Sequence, residues 1–87
     1  LRYAAAHGGL PVFIAEWGSD ALPAGVQPAF IRQMQAYVAA HPVIRAALYW
    51  DYRGPECDYI VDNAPASLAA LAAMGHSVAL QGRVPLF

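Results

Sequence analysis

The sequence predicts an α/β fold of two consecutive strand-helix units with parallel strands, and three observations carry that expectation. An apolar run, Pro11-Val12-Phe13-Ile14-Ala15, leads straight into Glu16-Trp17-Gly18. A second run, residues 43–50, again ends in large aromatic and acidic residues, Tyr49-Trp50-Asp51-Tyr52. Between them lies a segment with apolar residues at helical spacing. Strands apolar on both faces are the kind that parallel sheets bury on both sides, and parallel neighbours need a crossover helix, which runs right-handed.

Residues 1–6 read as the last turns of a helix, with His7 in the final turn and Gly8-Gly9 supplying the left-handed residue at which helices stop. Residues 10–15 form the first strand, with Pro11 at its opening, where a missing donor does least harm. Alternation puts Glu16 on one face with Val12 and Ile14, and Phe13 and Ala15 on the other. The mix of Gly, Ser, Asp and Pro over residues 18–27 reads as a loop. Pro28 suits a first helical turn, and Phe30, Ile31, Met34, Tyr37 and Val38 make one apolar stripe. That helix should stop near Ala40, because His41 precedes Pro42.

In the second strand Ile44, Ala46, Leu48 and Trp50 share one face, and Val43, Arg45, Ala47 and Tyr49 the other. Residues 53–62 form a polar loop, after which Asp62 or Asn63 caps a helix beginning around Ala64, with Pro65 in its first turn. Leu68, Leu71, Ala72 and Gly75 give that helix a narrow, Ala-rich buried stripe. Residues 76–87 show no strong period and read as a tail, with at most a short strand near 78–80.

Composition sets the bounds. A chain of 87 residues makes one small domain, of a size that buries only somewhat more than ~60% of its unfolded surface. It is 59% apolar and 13% charged, against averages of ~45–50% and ~25%, which points to surface covered by something beyond these residues. The start at Leu1-Arg2-Tyr3, with no initiator Met and no signal-peptide pattern, does not read as a natural beginning. No apolar stretch reaches the ~18 residues of a membrane span. A net charge of -1, from five basic and six acidic residues, offers nucleic acid no basic patch. Cys57, the single cysteine, excludes an internal disulfide and a thiolate metal cluster.

Pro11 to Gly18, the helix, His41-Pro42-Val43-Ile44, Ala47-Leu48-Tyr49-Trp50-Asp51 and Asp62-Asn63-Ala64-Pro65-Ala66-Ser67-Leu68 resemble the carboxyl-terminal part of clan-A glycoside hydrolases, nearest to family 26, the β-mannanase family. The likeness covers about residues 1–75, leaving 76–87 as the tail. It implies that the chain is the last quarter (β7-α7-β8-α8) of a (β/α)8 TIM barrel, whose missing amino-terminal strands are its partner. By the same resemblance Glu16, ending the seventh strand, is the catalytic nucleophile, and Trp50, ending the eighth, lines the sugar site. The substrate is then a poly- or oligosaccharide such as β-mannan, with no cofactor, and the parent is secreted. The family's acid/base carboxylate belongs to the fourth strand and has no counterpart here, so the isolated chain is expected to be inactive.

Retaining glycosidases need two carboxyl groups ~5–5.5 Å apart, and these residues offer a candidate only for the nucleophile. Taken alone, Glu16 is better read as a solvated strand-end acid, and its strand-end position with the family pattern reverses that order; Trp50 is equally a core residue, although its ring face suits the apolar face of a sugar. Trp17 and Tyr52 are further subsite candidates for which packing is the plainer reading. Asp51, Asp58 and Asp62 lack the spacing of a calcium loop, so loop and cap roles fit them better than a metal. His7, His41 and His76 lie at helix ends or in the tail, and neither Ser19 nor Ser67 sits in a nucleophile elbow. Two further readings stay open: a small α/β interaction module, and a barrel relative that binds sugar without cleaving it.

Overall fold

The computed structural model describes residues 1–62 and 64–82. The elements run α1 (Arg2–Ala6), β1 (Val12–Trp17), α2 (Val26–Ala40), β2 (Ile44–Tyr49), α3 (Pro65–Gly75) and one 3-10 turn (Val78–Leu80). Strands β1 and β2 pair in parallel as a two-stranded sheet, as the strand-helix order predicts. Helices α2 and α3 cover one face, and the core between them and the sheet is Trp17, Ile31, Val38, Ile44, Val61, Ala70 and Met74.

Both helix-to-strand corners are built alike. Helix α1 ends on Tyr3-Ala4-Ala5-Ala6-His7, and α2 on Tyr37-Val38-Ala39-Ala40-His41. In each, His Nδ1 donates to the Tyr carbonyl four residues back, at 2.8 Å for His7 and 2.8 Å for His41. The imidazole also lies over the Tyr ring, with centroids 3.9 Å apart in the first corner and 4.2 Å in the second. These bonds satisfy carbonyls that a helix end leaves free. After α1 the chain turns through Gly8 and Gly9, both at left-handed φ (81 and 72), and after α2 through Pro42.

Strand β1 starts at Val12, whose N–H donates to the Val43 carbonyl at 2.9 Å, and runs two residues beyond the expected end, to Trp17. Helix α2 begins at Val26 rather than Pro28, because Gly25 at φ 88 closes the preceding turn and the chain enters the helix at once. Pro28 therefore stands third in the helix, still in the first turn, where no N–H is needed.

Two register shifts overturn the strict alternation expected of the strands. From Ile14 to Trp17 the register advances three residues on β1 while it advances two on β2, from Ala47 to Tyr49. The extra residue leaves Ala15 and Glu16 both exposed and returns Trp17 to the helix-covered side beside Val12 and Ile14. Glu16 thus does not share that side. On β2 the pairs Val12↔Ile44 and Phe13↔Ala46 leave Arg45 as the extra residue, which places Ile44 in the core with Ala47 and Tyr49 and parts it from Leu48.

Four other expectations are corrected. The buried stripe of α3 is Ser67, Ala70 and Met74, with Leu71 packed against the core as expected but Leu68, Ala72 and Gly75 exposed, because the helix is apolar nearly all round and its pattern does not single out a face. On α2, Ile31 and Val38 are buried, but Phe30 and Tyr37 lie on the rim and Gln27 is buried instead. Residues 78–80 form the 3-10 turn rather than a strand, with Leu80 packed on the core. The first residue before α3 is Ala64, with no side-chain cap; Asn63 lies outside the described residues.

Candidate functional site at the strand ends

Glu16 and Trp50 come to the same end of the sheet. The ladder's last pair is Trp17↔Tyr49, and the Trp50 N–H then donates to the Trp17 carbonyl at 2.8 Å. Trp17 and Tyr49 pack on the helix side, whereas their chain neighbours Glu16 and Trp50 are exposed at the strand ends. The face opposite the helices carries Phe13 (68% exposed) and Leu48 (55% exposed).

Behind the strand ends a buried amide ties the loops together. Gln27 is fully buried, and its Nε2 lies 2.9 Å from the Ser19 carbonyl and 3.0 Å from the Tyr49 hydroxyl. The carbonyls of Ile60 and Tyr59 stand farther off, at 3.3 and 3.4 Å. Every one of these groups is free to accept, since Tyr49 spends its own hydroxyl proton on the Tyr59 carbonyl at 2.7 Å. Burial pushes the Tyr49 phenol above its ordinary pKa, which keeps that donor protonated. Sequence reading put Gln27 in a loop and gave it no role. Its acceptors lie far away in the chain, and no local pattern announces them.

The loop after β2 folds back on itself: Gly54 N–H donates to Cys57 O at 2.8 Å, and Tyr59 N–H to Tyr52 O at 2.8 Å. The acids hold this loop. Asp51 accepts from Val61 N–H (3.1 Å), Asp20 from Asp58 N–H (3.0 Å) and Asp58 from Ile60 N–H (3.3 Å). The Tyr59 ring lies against Gly18, where a Cβ would come within 2.7 Å of it. A glycine directly after Glu16-Trp17 is the sequence signal for that close approach, and sequence reading passed over it.

Of the candidate subsite aromatics, Trp50 and Tyr52 are brought together, stacked with centroids 5.0 Å apart at 15°. Tyr59 stands edge-on to Trp50 at 6.2 Å. Both Trp50 (43%) and Tyr52 (42%) keep exposed surface. Trp17 is 8% exposed, in edge contact with Tyr49 at 4.9 Å, and presents little surface to a ligand. Among the described residues, no three His, Cys, Asp or Glu side chains are grouped to hold a metal. A cavity of about 600 Å³ lies at the opposite end of β2, lined by Val38, Pro42, Ile44, Arg45, Val78 and Leu80, and has no part in this site. No family model, curated protein or solved structure matches the chain.

Proposed function

We propose that this chain supplies the nucleophile-bearing strands of a retaining β-glycoside hydrolase barrel acting on a β-linked polysaccharide such as β-mannan. The observation that carries the reading is the delivery of Glu16 and Trp50, both exposed, to the carboxyl ends of adjacent parallel strands. Carboxyl strand ends are where (β/α) barrels hold their chemistry. The exposed apolar side chains support a missing remainder, with Phe13 68% and Leu48 55% exposed on the face without helices. Phe13 and Leu48 are the kind of residue that further strands would cover.

In this reading a Glu16 oxygen attacks the anomeric carbon while an acid from elsewhere in the parent protonates the departing glycosidic oxygen. The resulting glycosyl ester is then hydrolysed by water, which that same residue deprotonates. Trp50 offers its ring to a sugar face. The test is intact-mass analysis of the parent protein after reaction with a 2-deoxy-2-fluoro-glycoside, followed by peptide mapping. A label on Glu16, lost in Glu16→Gln, is expected. Label on another carboxylate, or undiminished turnover by Glu16→Gln, overturns the assignment. Sugar binding with no adduct and no turnover would favour the non-catalytic relative.

A further inference from the structure

We propose that Gln27 is a positioning residue for this site: its amide joins the loop after β1 to the end of β2 and so fixes Glu16 relative to Trp50. The inference rests on the glycosidase reading of the strand ends. Three features argue for it. The Nε2 group has two hydrogens, and its two short contacts go one to the loop after β1 and one to the last residue of β2, Ser19 O at 2.9 Å and Tyr49 Oη at 3.0 Å. Ser19 is three residues after Glu16, and Tyr49 directly precedes Trp50. The chain then continues in one direction, from Tyr49 Oη–H to the carbonyl of Tyr59, whose ring stands edge-on to Trp50.

The position is also chemically selective. The amide nitrogen faces only oxygens that accept, so an apolar isostere leaves the Ser19 carbonyl without this donor, and a carboxylate would repel its neighbours. A residue needed only to fill the core could be apolar here. Instead α2 delivers a polar group at full burial, beside the backbone that follows the nucleophile.

The experiment compares Gln27→Met and Tyr49→Phe with the unaltered protein, all as the complete parent, in two measurements. The first is amide hydrogen exchange. The Ala21 and Trp50 amides, bonded across the strand-end segments, and the Tyr59 amide, bonded within the loop after β2, should exchange about ten-fold faster or more, with amides inside α2 and α3 unchanged. Uniform acceleration throughout, or none at the strand ends, overturns the clasp and leaves Gln27 a core residue. The second is labelling by the fluoro-glycoside. The maximal rate should fall on the order of 10- to 100-fold, while the half-saturating concentration stays close to that of the unaltered protein. Equal labelling rates in both variants overturn a role in positioning Glu16. No labelling of the unaltered protein overturns the glycosidase reading, and the exchange pattern then decides the clasp by itself. Should Gln27→Met fail to fold, Tyr49→Phe cuts the next link of the same chain and carries both measurements.

Discussion

The Trp50 amide donates to the Trp17 carbonyl at 2.8 Å, one step past the last pair of the parallel ladder. That bond leaves no slack between the strand carrying Glu16 and the segment carrying Trp50. The ladder thus sets the two backbones side by side, and the Gln27 tie to Ser19 and Tyr49 holds the segments at its end.

Replacing Trp50 with Ala tests the platform. The ring is 43% exposed but stacks on Tyr52 and meets Tyr59 edge-on, so its removal should cost about 1–3 kcal/mol of stability. Under the proposed glycosidase reading, catalytic efficiency of the complete parent on an oligosaccharide should fall by an amount on the order of 1–3 kcal/mol if the ring face is desolvated by sugar. A lower melting temperature with unchanged efficiency per folded molecule would instead make Trp50 a packing residue.

Gly18→Ala should lower stability by about 1–3 kcal/mol, because the new methyl would approach the base of the Tyr59 ring to 2.7 Å. The ring can yield only by leaving its edge-on place beside Trp50. Near-ultraviolet circular dichroism should change together with the unfolding midpoint. An unchanged aromatic spectrum at full stability would contradict that packing.

Tyr49 gives a pH signature. Its folded-state pKa is raised from 10.0 by burial, so the folded chain holds this proton more tightly than the unfolded one. The stabilisation is complete below pH 10.0 and is lost as pH rises through the folded value. Denaturant midpoints measured across that range should fall for the unaltered protein and less steeply for Tyr49→Phe. At neutral pH, Tyr49→Phe should be destabilised by about 1–3 kcal/mol, through the Tyr59 carbonyl it leaves without that donor.

Ile31→Ala and Leu48→Ala separate the covered side from the bare one. Ile31 is fully buried, and its truncation should cost about 2–5 kcal/mol in any context. Leu48 is 55% exposed, so its truncation in the 87-residue chain should stay within about 0.5 kcal/mol. In a complete barrel the same change should approach the core value. Equal, small effects in both contexts would argue against further strands over this face.

The strand positions and their parallel pairing were legible because each apolar run stops abruptly at a chemically distinctive end, Glu16-Trp17-Gly18 and Tyr49-Trp50-Asp51. Which side each residue takes was not. Alternation assumes an unbroken register, and the shifts at Arg45 and around Ala15-Glu16 arise from pairing between strands, which neither strand's sequence contains. The face of α3 was hidden for a different reason: a helix of mostly alanine and leucine has no polar side to exclude. Gln27 was missed because its meaning lies in acceptors 8, 22 and 33 residues away.

The two Tyr-His corners also bear on the order of assembly. Each closes over four residues, the span of a helical turn, and such contacts form in about a microsecond or less. The ties around Gln27 must wait for chain loops several times longer, whose closure entropy is greater. The turns at the amino ends of the strands therefore set early, and the opposite end closes last. By the same reasoning that end opens first, through excursions that leave the Ile31 core intact. Native-state exchange should then show Ala21 and Tyr59 opening at a lower free energy than Ile31, and a single shared opening energy would refute this order.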